Sequence, residues 1–210
     1  MKADTFFSET EKEQISNTVR EVERNTAGEI AVMVVNHSDD YPESKILAGL
    51  FFGAISSLII TDLWFNDRLW LFIPTALVIG IFSGWLASYL PIVMRFFTQT
   101  SRLELQVRDQ AFTSFYQNGL HKTIDETGVL FFISLFERRV WILADKGIYQ
   151  KITPETLQDY AREVALGIKT GKATETLCCE IRNVGKILAA HFPIKKGDTN
   201  ELPNRVIIGK

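Results

Sequence analysis

The sequence contains little cysteine, and the two cysteines that it has are adjacent. Cys178 and Cys179 are the only ones among 210 residues, and neighbouring cysteines do not readily bond to each other, so an intrachain disulfide framework is excluded. The CxxC spacing of zinc and redox sites is absent as well. We interpret the pair as small apolar helix residues in a reducing compartment rather than as a redox or metal site.

The sequence also lacks a large excess of acidic or basic residues, and it lacks the common catalytic motifs. The 23 basic and 25 acidic residues are spread along the chain, and the net charge is −2. Surfaces that bind nucleic acids cluster lysine and arginine, so we expect no nucleic-acid partner. No Walker loop, GxGxxG, GxSxG or HExxH motif occurs. The segment Met1–Ser8 lacks the long apolar run of a secretory signal, so we expect none.

Two long uncharged stretches are present instead. Residues 46–61 carry no charge, and with Leu63, Trp64 and Phe65 the apolar stretch reaches 20 positions, whereas residues 69–94 carry no charge over 26 positions. About 20 helical residues cross a bilayer core of about 30 Å. The sequence therefore predicts transmembrane helices at about 46–65 and 69–94, joined by Asn66-Asp67-Arg68 into an antiparallel hairpin. The alternative is a buried hairpin within a soluble core.

The charges at the two ends of the hairpin predict its orientation. Its open end carries three basic residues, and its tip carries one basic residue offset by two acidic ones: Lys45, Arg95 and Arg102 against Arg68 with Asp62 and Asp67. Because basic residues prefer the cytoplasmic side, we expect the tip outside and both polar segments in the cytoplasm.

Small residues recur at every fourth position of both stretches. They are Gly49, Gly53 and Ser57 in the first stretch, and Ala76, Gly80, Gly84 and Ser88 in the second. Such faces allow two helix backbones to approach closely. Either the two faces pack against each other within the hairpin, or they bind a second copy of the chain or another membrane protein.

The polar segments contain the pattern of one α/β domain split by the hairpin. In chain order it predicts a helix capped by Ser8-Glu-Thr-Glu11, strand 29–35, a helix from Ser101-Arg-Leu-Glu104, strands 128–135 and 139–144 joined as an antiparallel hairpin, a helix from Thr153-Pro154, a helix ending near His191, and an irregular tail. We therefore expect the domain in two parts, residues 1–44 and 96–192, with the transmembrane hairpin at 45–95 and a polar tail at 193–210.

Three polar clusters adjoin the predicted strands. They are His37 with Asp39 and Asp40, His121 with Lys122 and Thr123, and Asp145 with Lys146 and Gly147. If the first and third strands are parallel neighbours, Asp39, Asp40 and Asp145 converge at one edge of the sheet, where open α/β sheets bind ligands. Three carboxylates could hold Ca²⁺ or Mg²⁺. The alternative is that all three are solvated turn residues.

Several segments resemble the TPM-domain family. They are Gly28-Glu-Ile-Ala-Val32, Gly119-Leu-His-Lys-Thr123, Thr127-Gly-Val-Leu130, Ser134-Leu-Phe-Glu-Arg138 and Ala144-Asp-Lys-Gly-Ile148, with Phe192-Pro193 and Asn200-Glu-Leu-Pro203 similar to the tail of bacterial members. The resemblance implies an α/β sandwich of a sheet flanked by helices. It also implies divalent-cation ligands at Asp39, Asp40 and Asp145, with His121, Glu137 and Arg138 as motif residues nearby. The two uncharged stretches and the bacterial type of the tail together predict a location in the bacterial plasma membrane.

Two functions follow from these features. The first is a membrane-anchored module for the binding, assembly or maintenance of other membrane proteins, suggested by the small-residue helix faces and by the lack of a recognisable nucleophile–base pair. The second is a phosphatase dependent on a divalent metal, because the resembled family includes a thylakoid-lumen acid phosphatase beside a receptor modulator. In that reaction the metal would polarise the phosphoryl oxygens and activate water, and Arg138 or Lys146 would offset the charge of the phosphate.

Overall fold

The computed structural model describes residues 2–64, 69–194 and 201–209. In chain order its helices are α1 (Glu9–Glu23), α2 (Pro42–Trp64), α3 (Phe72–Ala87), α4 (Pro91–Phe97), α5 (Thr100–Gln117), α6 (Lys146–Tyr149), α7 (Pro154–Lys169) and α8 (Ala173–His191), and its strands are β1 (Glu29–Val35), β2 (Gly128–Ser134), β3 (Arg139–Ala144) and β4 (Ile207–Ile208). The chain divides into two compact units. The sheet unit is Met1–Ser38 with Glu104–Lys210, and the hairpin unit is Asp39–Leu103.

The sheet unit is built on a four-stranded sheet in the order β3-β2-β1-β4. β1 runs parallel to both β2 and β4, and β3 runs antiparallel to β2. Every residue of β1 and β2 is buried, which explains why both are continuous apolar runs without polar alternation. The expected α/β arrangement of a sheet flanked by helices is confirmed.

Alternate residues of each strand face two hydrophobic clusters, one on each side of the sheet. From β1, Ile30, Val32 and Val34 pack with α1, α7 and α8. Ala31, Met33 and Val35 pack on the opposite side with α5. The helices start where their capping residues predict: Ser8 and Glu11 form a reciprocal capping box for α1, and Thr153 caps α7 ahead of Pro154. α5 begins at Thr100, one residue before the expected cap at Ser101.

Two features of the sheet differ from the expectations. The tail expected to be irregular contains β4, which pairs with Met33 and Val34 of β1. The arrangement of the first and third strands as parallel neighbours is wrong, because β2 lies between β1 and β3 and β3 runs in the opposite direction. The short link between β2 and β3 requires an antiparallel pair, and β1 joins β2 on its other side.

The hairpin unit contains two apolar helices packed backbone to backbone. A Cβ atom at Gly53 of α2 would lie 2.6 Å from the Cα of Gly80 in α3, and one at Gly49 would lie 2.5 Å from the Gly80 carbonyl oxygen. Ser57 of α2 donates a hydrogen bond to the carbonyl oxygen of Phe72 at 2.8 Å. The small-residue faces therefore pack against each other within the hairpin. The connection predicted at 66–68 lies outside the described residues.

The second apolar stretch does not form one helix over 69–94. It begins with a 3₁₀ turn at Leu69–Leu71, and α3 then ends at Ala87. α4 follows at an angle of 113° to α3. Pro91 causes the break, because proline lacks a backbone N–H and forces the preceding residue out of the helical conformation. Leu90 accordingly has the extended angles φ −112° and ψ 92°.

Candidate functional site

The turn between β2 and β3 holds one of the predicted motif residues, Glu137, in a buried position. Only 2% of Glu137 is exposed. Its carboxylate accepts hydrogen bonds from the backbone N–H of Ser38 at 2.8 Å and from the hydroxyl of Ser134, while the hydroxyl of Ser38 donates to that of Ser134 at 3.1 Å. Arg138 beside it is exposed and has φ +53°. Glu137 therefore ties the segment after β1 to the β2–β3 turn.

Removing the Glu137 carboxylate should destabilise the sheet unit. In a Glu137→Ala variant the Ser38 N–H and the Ser134 hydroxyl lose their buried acceptor, which we expect to lower the free energy of unfolding by about 2–4 kcal/mol. An Arg138→Ala variant of the same turn should change it by less than about 0.5 kcal/mol, because Arg138 is exposed. Thermal unfolding of the full chain in detergent measures both. Equal effects of the two substitutions would contradict the role of Glu137.

The three predicted metal ligands are divided between the two units of the chain. Asp145 caps α6, and its backbone N–H bonds the Gly128 carbonyl at 2.9 Å, at the edge of the sheet where β1 and β2 begin. Asp39 and Asp40 belong to the hairpin unit and follow the other end of β1 in sequence. Seven residues of strand, about 20 Å, separate the two ends of β1.

The Asp39 carboxylate already has partners within the hairpin unit. Asp39 accepts hydrogen bonds from the Asp40 N–H at 2.8 Å and from the Arg102 guanidinium at 3.2 Å. Arg102 also pairs with Glu43 at 3.0 Å. Residues 2–64, 69–194 and 201–209 contain no group of three or more His, Cys, Asp or Glu residues that could hold a metal ion. The Ca²⁺ or Mg²⁺ site stays a prediction from the sequence and the family resemblance.

His121 lies in a 3₁₀ turn between α5 and β2. Its ring packs against the Tyr116 ring with the centroids 4.9 Å apart. Its Nδ1 atom is buried and has no hydrogen-bond partner within the described part of the chain. The contacts of His121 are therefore those of an aromatic packing residue of the sheet unit.

The sheet unit contains a cleft that sequence reasoning did not find. Its volume is about 910 Å³, and it lies between α5, the edge strand β3 and the start of α7. The residues that line it are Arg108, Asp109, Phe112, Trp141, Leu143, Tyr149, Pro154, Glu155, Gln158 and Arg162. Three aromatic rings and a rim of both charge signs are typical of a binding surface. The only sequence signal is Trp141, a large aromatic residue in what proves to be the outermost strand.

Two cleft residues also cover the open edge of the sheet. Gln158 donates a hydrogen bond to the carbonyl oxygen of Ile142 at 2.9 Å, and the Ala144 N–H donates to the hydroxyl oxygen of Tyr149 at 3.3 Å. Burial raises the pKa of the Tyr149 phenol, so it is neutral at physiological pH. Side chains that satisfy the backbone of an edge strand protect it from pairing with other chains.

The cleft combines an aromatic surface with charged groups of both signs at its rim. The described residues that line it include no serine, cysteine or histidine, and its carboxylates are those of Asp109 and Glu155. Arg108 pairs with Asp109 at 3.4 Å, and Arg162 pairs with Asp159. The rim therefore has balanced charge around an aromatic floor, an arrangement suited to a neutral or mixed-charge partner.

A second unpredicted cluster joins the start of β1 to the C-terminal tail. The Glu23 carboxylate at the end of α1 accepts hydrogen bonds from the Ile30 N–H at 2.9 Å and from the side-chain amide of Asn204. Glu29 accepts one from the Glu201 N–H at 3.1 Å. The pKa of Glu23 is raised to about 8, chiefly by burial and also by the nearby Glu29 carboxylate, against the lowering effect of its hydrogen bonds.

Comparisons with known proteins identify a fold and no family. No family model and no curated protein matches the chain. The structure is similar to the NMR structure of BA42 protein from the psychrophilic bacterium Bizionia argentinensis, with a TM-score of 0.60 and 21% sequence identity over 97% of this chain and 96% of that one. At this level of identity the likeness shows a shared fold alone, and a fold does not determine an activity.

Proposed function

We propose that the chain is an integral protein of the bacterial plasma membrane, with α2 and α3 crossing the bilayer as a hairpin. The observation that carries the proposal is the apolar surface of the hairpin unit. Its helices expose large apolar side chains on their outer faces, among them Ile46, Leu50, Leu58, Leu63, Val78 and Ile81, each at least 57% exposed. Contiguous apolar surface on this scale marks a membrane or protein contact.

The dimensions of the helices support insertion. Among the described residues one helix, Pro42–Leu63, is long and apolar enough to cross a membrane, and α3 with α4 passes the same test only as a bent pair. The 22 residues of the first span about 33 Å. α3 and the 3₁₀ turn before it together span about 30 Å. Only 28% of the Pro42–Leu63 window is buried, whereas the core helix of a soluble protein would be mostly buried.

A pair of matched substitutions separates a membrane span from a soluble helix. Leu58 of α2 and Leu166 of α7 are 57% and 53% exposed, so arginine at either site should be tolerated if both face water. If α2 spans the bilayer, Leu58→Arg should make the free energy of membrane insertion less favourable by about 2.5–3.5 kcal/mol. It should therefore shift protein out of the carbonate-resistant membrane fraction. Leu166→Arg should leave that fraction unchanged. Equal behaviour of the two variants would contradict the membrane assignment.

For the sheet unit we propose a binding or assembly role on the cytoplasmic side of the membrane, with other membrane proteins as partners. The aromatic cleft supports this role, because it combines apolar contact area with charged groups at its rim. The resemblance to the TPM-domain family remains part of the proposal. No specific observation favours the phosphatase alternative, and the part of the chain that the structure describes contains no group of three or more His, Cys, Asp or Glu residues that could hold its metal.

Position-specific photo-crosslinking tests the binding role. A photoreactive residue in place of Phe112, at the cleft, should give a discrete crosslinked product in native membranes. The same residue in place of Glu163, exposed on α7 and absent from the cleft lining, should give none. No cleft-specific product would contradict the binding role. Mg²⁺- or Ca²⁺-dependent hydrolysis of a phosphomonoester that Asp145→Asn abolishes would favour the phosphatase instead.

A further inference from the structure

α4 is a short helix with an exposed apolar side and an anchored side. Ile92 and Phe96, four residues apart and hence on one side of the helix, are each 81% exposed. Met94 is 4% exposed. The Phe97 ring packs on α2, with its centroid 5.6 Å from that of Phe51 and 6.1 Å from that of Phe52. α4 is therefore held against α2 while two large apolar side chains point away from it.

The geometry places α4 almost parallel to a bilayer that the hairpin crosses. If α3 follows the membrane normal, the 113° bend leaves α4 within about 25° of the membrane plane and directed back towards the bilayer. The contact with Phe51 agrees, because Phe51 lies about 13 Å along α2 from Pro42. The Phe97 side chain thus points from the end of α4 towards the second to third turn of α2.

We propose that α4 is an interfacial helix that inserts Ile92 and Phe96 between lipid headgroups and acyl chains at the open end of the hairpin. This inference rests on the proposed membrane insertion of α2 and α3. Its apolar side continues the exposed surface of those helices through Trp85 and Tyr89, which are 56% and 65% exposed and stack with centroids 5.2 Å apart. Tryptophan and tyrosine favour the headgroup level of a membrane. A lipid surface is the partner that fits a helix lying flat at this level.

Spin-label depth measurements test the inference. Ile92→Cys and Phe96→Cys would each be labelled in a Cys178→Ala, Cys179→Ser background, and the full chain would be reconstituted into vesicles of phosphatidylethanolamine and phosphatidylglycerol. The ratio of accessibility to oxygen and to a water-soluble nickel complex reports depth. Ile81→Cys, 76% exposed on α3, is the bilayer control, and Glu163→Cys, exposed on α7, is the aqueous control.

We expect labels at 92 and 96 to lose accessibility to the nickel complex relative to the label at 163, and to be shallower than the label at 81. Labels at 92 and 96 as accessible as that at 163, with 81 shielded, would overturn the interfacial helix and leave membrane insertion intact. Labels at 92 and 96 as deep as that at 81 would overturn it in favour of an extended span. A label at 81 as accessible as that at 163 would overturn the insertion itself.

Discussion

A Gly53→Ala substitution should destabilise the hairpin, whereas Gly80→Ala, in the same contact, should not. A Cβ atom at Gly53 would lie 2.6 Å from the Gly80 Cα and 2.7 Å from the Ala76 carbonyl oxygen, both backbone atoms. A Cβ atom at Gly80 would meet nothing closer than the Gly49 carbonyl oxygen at 3.2 Å. The two sides of one helix contact therefore differ in how much space they leave.

The expected losses of stability in the two variants follow from this difference in space. Gly53→Ala should lower the free energy of unfolding by about 3 kcal/mol, because the α2 and α3 backbones must separate. Gly80→Ala should lie within about 1 kcal/mol of the wild type, because the gain in helix propensity offsets a small displacement. Unfolding of the full chain by denaturing detergent measures both values. A loss at Gly80 as large as that at Gly53 would contradict the packing of α2 on α3.

The contribution of Glu23 to the stability of the sheet unit should fall as pH rises from about 4.5 to 8. The native pKa of Glu23, about 8, lies above its ordinary value of 4.5, so the folded state holds this proton more tightly than the unfolded state. The stabilisation is complete below the unfolded pKa and is lost as pH rises through the folded pKa. The limiting slope for one group is about 1.4 kcal/mol per pH unit.

A Glu23→Gln variant isolates this contribution from other titrations. Glutamine can still accept the Ile30 N–H, and the Asn204 amide can rotate to present its oxygen to the new NH₂ group. We expect the stability of the variant relative to the wild type to increase between pH 5 and pH 8, measured by thermal unfolding at each pH. A difference between the two proteins that stays constant over this range would contradict a protonated Glu23 in the fold.

The local elements of the sheet unit could be predicted from the sequence because their signals are local. Glu29–Val35 and Gly128–Ser134 are continuous apolar runs, and both prove to be fully buried strands. The caps at Ser8 and Thr153 rest on a few neighbouring residues each. β4 was not predictable in this way, since it has two residues and its pairing partner, β1, lies more than 170 positions earlier. The break before Pro91 follows from a local rule that the prediction of one helix over 69–94 did not apply.

The candidate sites were harder to predict because they depend on strand order. The metal hypothesis required β1 and β3 to be parallel neighbours, and insertion of β2 between them removes that condition. The cleft lies beside β3 because β3 is the outermost strand, and Trp141 is on the face of the sheet that α5 covers. The buried Glu137 carboxylate accepts a hydrogen bond from the backbone N–H of Ser38, which lies 99 positions away in the sequence. Sequence spacing contains none of this information.

Cysteine labelling in spheroplasts of a bacterial host tests the membrane hairpin and its orientation most directly. Cys179 of α8 is exposed, whereas Cys178 is buried, so the native chain already carries a reporter on the sheet unit. A second reporter is Asp67→Cys, placed between the two apolar stretches in a background without the native cysteines. We predict that a membrane-impermeant maleimide labels position 67 in intact spheroplasts and labels Cys179 only after permeabilisation. Labelling of Cys179 in intact spheroplasts, or no labelling of position 67, would contradict the account.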